Sequence, residues 1–314
     1  MGARGRRDRI ARAGAVLSRR PASDWLLLLS LVLIWGTAFL VIDVALESVP
    51  ATSVAAARIV SGAALLLVIL PFTGRVLPRG RIWWHFLALA IVGNCLPFFL
   101  IAWGQEQIES SLAGILMGIM PLTTLLLAHF FVPGEGLTRR NVVGFLLGFS
   151  GVIILTGPEA VLEIGGSPSD LARQLAVLAG AMCYAANTII SRRLPDIDAV
   201  VASAATLLVA TLLITPIVLV ADRPWTLSVS AEGWVSLLWL GVVTTAFATI
   251  LYYRLIASAG PTFFSYINFL IPIVALATGV AFRNEAVHAR AVAALLLVLS
   301  GLALSQTGRA ARAT

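Results

Sequence analysis

The sequence predicts an all-α polytopic membrane protein: ten transmembrane helices arranged as two inverted five-helix repeats. Three observations predict it. Of the 314 residues, 59% are apolar and only 12% charged, with a mean hydropathy of +0.96; soluble domains are roughly half apolar and about a quarter charged. Nine charge-free stretches of at least 18 residues follow one another along the chain. Landmarks of the first half recur in the second at a nearly constant offset.

A bilayer crossing takes about 20 mostly apolar residues. The stretches are 25–42, 82–105, 110–134, 141–158, 174–191, 199–221, 233–253, 255–282 and 291–308, and a tenth, 48–74, is interrupted only by Arg58. Backbone in lipid must satisfy its own hydrogen bonds, so uniformly apolar runs mean helices, whereas barrel strands would alternate. The junctions are short and carry turn residues: Pro50, Gly74 with Pro78, Pro133 to Gly136, Gly157 with Pro158, Pro195, Pro224, and Gly260 with Pro261. None is long enough for a separate soluble domain. The expected organisation is a basic tail over 1–24, one repeat over 25–157, a second over 171–307 and a short tail over 308–314.

Charge sets the expected orientation. All 22 basic residues are arginine, which reads as genome composition bias and not as a nucleic-acid signal. With the N-terminus inside, seven arginines of the tail (Arg4 to Arg20), Arg75, Arg79, Arg81, Arg139, Arg140, Arg192, Arg193, Arg254, Arg309 and Arg312 are cytoplasmic. Arg173, Arg223, Arg283 and Arg290 lie opposite, and seventeen against four is a strong positive-inside bias. Glu47, Glu106, Glu109, Asp222 and Glu285 fall on the outer side, in agreement. Both termini are therefore expected in the cytoplasm of a cell with this protein in its plasma (inner) membrane. The apolar run after the basic tail is too long for a signal peptide, so the tail reads as a topology anchor touching anionic head groups.

The repeat rests on spacing. Pro121 and Pro272 lie mid-helix in spans four and nine, 151 residues apart; Glu135 and Glu285 are 150 apart, as are Gly151 and Gly301. Trp35 in span one corresponds to Tyr184 in span six. A five-helix unit is odd, so its second copy enters the membrane upside down. Such inverted pairs build many secondary transporters, where two halves rock around one central site.

The same residues resemble a known family. Ile34-Trp35-Gly36-Thr37-Ala38-Phe39 is similar to the opening helix of the drug/metabolite transporter superfamily in its EamA branch, and Ala57-Arg58-Ile59 resembles that family's arginine in span two. Ser111 to Gly114, Met120-Pro121-Leu122, Gly134 to Thr138 and Gly144 to Gly151 resemble its most recognisable signature. Pro272, Asn284-Glu285 and Ser300-Gly301 repeat it more loosely. The resemblance covers about residues 25–307. It implies a ten-helix carrier of small metabolites, with a cavity lined mainly by spans one, three, four, six, eight and nine and with efflux of amino-acid-like compounds or drugs as the expected direction.

Ionisable and polar groups inside spans are functional candidates. Arg58 lies about two turns into span two, roughly 10–12 Å from the outer end at 1.5 Å per residue. It either faces the cavity and meets an anionic substrate, or caps carbonyls and pairs with an acid near the outer surface. Asn94, Asn187 and Asn268 either glue helices together or line a polar cavity. Trp35, Trp103, Tyr184, Tyr252, Tyr253 and Tyr266 are candidates for an aromatic lining, while Trp25, Trp83, Trp84 and Trp234 at span ends read as interfacial belt. The substrate-binding set is thus Trp35, Arg58, Asn94, Trp103, Tyr184, Asn187, Tyr266 and Asn268. Pro121 and Pro272, which each free a mid-span carbonyl, are the gating candidates. Glu135 and Glu285 are expected to cap spans five and ten, and Gly114-x-x-x-Gly118 and Gly144-x-x-x-Gly148 to pack helices inside the chain.

Enzyme chemistry finds little support. His85, His129 and His288 are scattered, Cys95 and Cys183 read as small core residues, and no metal-ligand spacing, nucleophile elbow or phosphate loop is present. No catalytic residue, metal or cofactor is expected. The expected partners are a small-molecule substrate and the bilayer, with no nucleic acid; ion or proton coupling and monomer or homodimer stay open. A membrane-embedded enzyme acting on lipid-linked substrates would need catalytic polar residues clustered at one membrane face, which the sequence lacks.

Overall fold

The computed structural model describes residues 21–133, 136–156, 168–195 and 197–310. The basic tail from Arg4 to Arg20, and Glu135 with its expected cap on span five, lie outside the described residues. Ten helical spans run in chain order: α1 (Ala22–Leu46), α2 (Ala51–Thr73), α3 (Trp83–Gln105), α4 (Ser110–Phe131), α5 (Arg139–Thr156), α6 (Pro168–Ser191), α7 (Ala199–Ala221), α8 (Ala231–Gly260), α9 (Ile267–Arg283) and α10 (Ala289–Ala310). Seven of them, α1 to α4 and α6 to α8, are long and apolar enough to cross a bilayer; α9 and α10 supply shorter apolar stretches. Large apolar side chains such as Leu26, Val68, Phe130, Leu212 and Phe282 remain exposed, as an acyl-chain solvent requires.

The packing is two-fold. The first span lies against α8 and α9, and correspondingly α6 lies against α3 and α4. The pairs α2 with α7, α4 with α9 and α5 with α10 each join a helix to its own repeat counterpart. The tightest is α5 with α10. An added side chain at Gly144 would fall 2.5 Å from the Gly301 carbonyl oxygen, and one at Gly301 would fall 2.3 Å from that of Gly144. Gly148 faces Leu122 of α4, Gly114 faces Ala275 of α9, and Gly118 faces Val298 of α10, so both small-residue motifs serve contacts inside the chain.

Several spans are interrupted near their middles. In α1 the helix breaks at Thr37, whose hydroxyl donates to the Leu33 carbonyl at 2.7 Å, a back-bond that favours bending. In α4 it breaks at Gly118–Ile119 and restarts at Met120 with Pro121 in its first turn, where the missing N–H costs nothing. Pro272 stays inside a continuous α9, and its ring lies 3.6 Å from the position an added side chain at Gly118 would take. The two gating candidates thus mark spans that meet at one level. Wide π-helical turns occupy Ile91–Cys95 of α3 and Trp239–Phe247 of α8, counterparts in the repeat.

One boundary differs from the expectation. Arg254 does not separate the eighth and ninth spans; it sits exposed within α8, and the chain turns instead at Gly260, where φ is +79°. Only glycine takes that backbone without strain, whereas an arginine can run its stem along the helix and keep its charge in water.

Candidate functional site

The two ends of the bundle differ in charge. One end, called here the acidic end, carries Asp43, Glu47, Glu106, Asp222 and Glu285; the other, basic end carries Arg75 and Asp24 with their partners. At the acidic end Arg283 of α9 pairs with Asp43 of α1 and, at 2.6 Å, with Glu47 just past its end. Arg173 of α6 pairs with Glu106 beyond α3, donates to the Trp103 carbonyl and stacks 3.9 Å over the Trp103 ring. Ser53 donates to Asp222 at 2.6 Å. The Glu285 carboxylate accepts from the backbone N–H of Ser110 and Ser111 and from the Ser110 hydroxyl, at 2.7–3.0 Å. Glu285 is therefore a helix cap, but on α4 and not on span ten: it folds back over Gly279, which has no side chain to obstruct it, and meets the exposed N–H groups of the other half. Each of these bonds crosses between the halves, from α1–α4 or a residue following one of them to α6–α9 or a residue following one of them.

A Glu285→Gln variant keeps the shape and loses the negative charge. Hydrogen bonds to a charged acceptor contribute about 1.5–3 kcal/mol, against about 1 for neutral ones. A drop of about 1–2 kcal/mol in unfolding free energy, read by denaturation in detergent, is expected; unchanged stability would show that the cap carries no energetic weight. Nearby, a cleft of about 560 Å³ is lined by Glu109, Ser111, Leu112, Leu155, His288 and Arg290 among others. Partial burial, then the Glu285 charge, lift the Glu109 carboxyl above its ordinary range, with His288 opposing. None of the eight sequence-derived binding residues lines this cleft.

Those eight separate into two sets. Arg58, Tyr184, Asn187 and Trp35 come together around the two π-helical turns. Arg58 is 9% exposed; its Nε donates to the Thr245 hydroxyl at 2.9 Å and its guanidinium lies 3.9 Å from the centre of the Phe98 ring. Among the described residues no carboxylate pairs with it. Phe98 in turn meets Tyr184 edge-on at 6.4 Å. One turn further along α6, the Asn187 amide occupies the space that a side chain at Gly93 would fill. On α8 the adjacent Thr244 receives, through its carbonyl, the Trp35 indole N–H at 3.0 Å. Trp35 also packs with Tyr252 and Phe264, which touch each other at 4.8 Å. The wide turn of α8 makes this arrangement: the Thr245 hydroxyl donates back to the Leu240 carbonyl, five residues earlier, and turns its lone pair to Arg58.

The other four stand apart. Trp103 belongs to the acidic-end contacts with Arg173. Asn94 turns its amide onto the Leu89 carbonyl of its own helix at 3.4 Å, and Asn268 donates to Ser265 at 3.1 Å. Tyr266 is 37% exposed and meets Phe263 beside the start of α9. Phe98, Thr244 and Thr245 were absent from the sequence-derived set. Pro97 was the available signal for α3, since it removes an N–H and disturbs the preceding turn; nothing comparable marks α8.

Comparisons with known proteins follow the same division into halves. The model of the EamA-like transporter family matches residues 24–157 and again 173–307. The chain is 25% identical over 295 residues to the "Uncharacterized inner membrane transporter YedA" of Escherichia coli K12, covering 90% of each chain. It is likewise 25% identical over 288 residues to the "Uncharacterized transporter YvbV" of Bacillus subtilis, covering 90% of this chain and 91% of that one. "Protein PagO" of Salmonella typhimurium is 23% identical over 298 residues, covering 92% and 95%. A solved crystal structure superposes with a TM-score of 0.65 at 22% identity, over 91% of this chain and 96% of that one, a likeness of fold.

Proposed function

The chain belongs to the EamA-like transporter family, and on that footing we propose that it is a secondary transporter carrying a small, carboxylate-bearing organic metabolite by alternating access. The observation that supports the substrate chemistry is Arg58: a permanently charged guanidinium, nine-tenths buried, held by one hydroxyl and one ring and matched by no carboxylate among the described residues. A buried cation without a counter-charge is costly to folding. A substrate carboxylate supplies the missing partner, Tyr184 and Thr245 flank it with Asn187 one turn further along α6, and Trp35 with Tyr252 and Phe264 offers an apolar wall.

In this reading the inter-half bonds at the acidic end form the outer gate, and α4 and α9, meeting beside Pro121 and Pro272, are the spans that bend. The seventeen-to-four arginine bias supports an orientation with both termini in the cytoplasm, and the relative named as an inner membrane transporter supports that membrane as the location. Efflux is the direction the family resemblance favours. The test is reconstitution of the full chain in liposomes and counterflow against a panel of amino acids, hydroxy acids, sugars and nucleosides. Saturable exchange of at least one carboxylate is expected. Exchange of none, from protein shown to be folded, would remove the proposal.

A further inference from the structure

Among the described residues, the middle of the bundle holds one formal charge, that of Arg58. Of the 15 acidic residues in the chain, those within described spans are Asp24, Asp43, Asp170 and Glu232, and each sits in a terminal turn. The acids nearest in sequence or space to the site's helices are engaged at the ends: Asp43 with Arg283, Asp222 with Ser53, Asp24 with Ser258, and Asp198 with Arg75. The histidines are peripheral too: His85 is in the first turn of α3 and His129 in the last turn of α4. Around Arg58 itself, α3 contributes Phe98, α6 contributes Tyr184 and α8 contributes Thr245, and the Cys95 thiol of α3 turns to the Ala210 carbonyl of α7. None of these carries a negative charge or holds a readily exchanged proton near neutral pH.

We infer that the central site selects organic monoanions over zwitterions and carries their charge across the membrane uncompensated by a proton. The inference rests on the transport reading above. A carboxylate entering the site gains Arg58. An ammonium entering with it meets a second cation in a low-dielectric space and no acid, and desolvating an unmatched ion is strongly unfavourable. A hydroxyl in the ammonium's place needs only a hydrogen-bond partner, which Thr245 or Asn187 provides. With no carboxylate or imidazole in mid-span among the described residues, no group at the site takes up a proton on one side and releases it on the other. Arg58 stays fixed on α2, so net movement of one substrate molecule moves one negative charge. In a cell with a negative interior the field drives that charge outward, which gives efflux without a coupled ion.

The experiment uses proteoliposomes of the full chain, with potassium and valinomycin setting the potential and pH set separately. The probes are isosteric pairs in which a hydroxyl replaces an ammonium: lactate with alanine, 2-hydroxyisocaproate with leucine, and 3-phenyllactate with phenylalanine. At least one hydroxy acid is expected to exchange at least ten times faster than its amino acid. Its net accumulation should follow the imposed potential: 100 mV is worth about 2.3 kcal/mol per unit charge, or about 50-fold. A pH gradient alone, corrected against protein-free liposomes, should drive none. Amino acids exchanging as fast as their hydroxy acids would overturn the inference, as would accumulation that follows pH and ignores potential. Exchange only of sugars or nucleosides overturns it while leaving transport standing; no exchange of any compound removes the transport reading beneath it.

Discussion

Arg58→Met is expected to abolish carboxylate flux and to leave the protein at least as stable as before. Truncating one partner of a buried, hydrogen-bonded charge pair costs about 2–5 kcal/mol, a fall of about 30-fold or more in kcat/KM. Stability moves the other way. A charged side chain at mid-span costs about 2.5–3.5 kcal/mol to insert. Methionine removes that cost, fills most of the same volume and gives up only the Thr245 hydrogen bond, worth about 1.5 kcal/mol as a bond to a charged group, and the Phe98 stacking, worth about 1 kcal/mol. Denaturation in detergent should therefore report unchanged stability or a gain of up to about 1 kcal/mol alongside a collapse of counterflow. A destabilised, poorly expressed Arg58→Met protein would make Arg58 a structural group and would withdraw the substrate assignment. Arg58→Lys separates charge from shape: it keeps the cation and loses the planar guanidinium, so partial flux is expected.

The largest structural effect belongs to Gly301→Leu. The added Cβ would fall 2.3 Å from the Gly144 carbonyl oxygen and 2.8 Å from the Gly148 nitrogen, both backbone atoms of a helix with no freedom to step aside. Overpacking of a well-fitted contact costs about 1–3 kcal/mol and more where backbone must move, so a clear loss of thermal stability and of monodisperse protein is expected. Gly136→Ala is the control, because nothing lies within 4 Å of its added carbon. Equal stability of the two variants would mean that α5 and α10 do not rest on each other as described. The folded fraction of Gly301→Leu should bind substrate normally, since neither helix carries a residue of the central site.

Much of the architecture was legible because its causes are long and repetitive. A run of apolar residues the length of a bilayer has few alternatives, and an offset of about 150 residues kept by Glu135 and Glu285 identifies a duplicated unit of odd helix number. What stayed hidden depends on contacts distant in sequence or on choices within one turn. Arg254 looked like a span end, yet an exposed charge at the rim leaves a helix intact, and it is the positive φ of Gly260 that ends α8. Glu285 was legible as a cap but not as the cap of a helix 175 residues earlier in the chain. Asn94 and Asn268 could have faced a cavity; each instead satisfied its amide on a carbonyl of its own helix or turn. Thr245 as the partner of Arg58 is a pairing over 187 residues, set by a π-helical turn that no residue type announces.

The glycine seam between α5 and α10 has a consequence for descent. Duplicated halves are ordinarily free to drift apart once fused, each accumulating changes on its own account. Here Gly144 admits no side chain because of Gly301, and Gly301 admits none because of Gly144, so a change in either copy is penalised through the other. Arg58 has no such twin: counting 149 residues on, the distance from Trp35 to Tyr184, arrives at the buried Leu207. The seam holds the two copies to one shared constraint, and the centre is where the copies are free to differ.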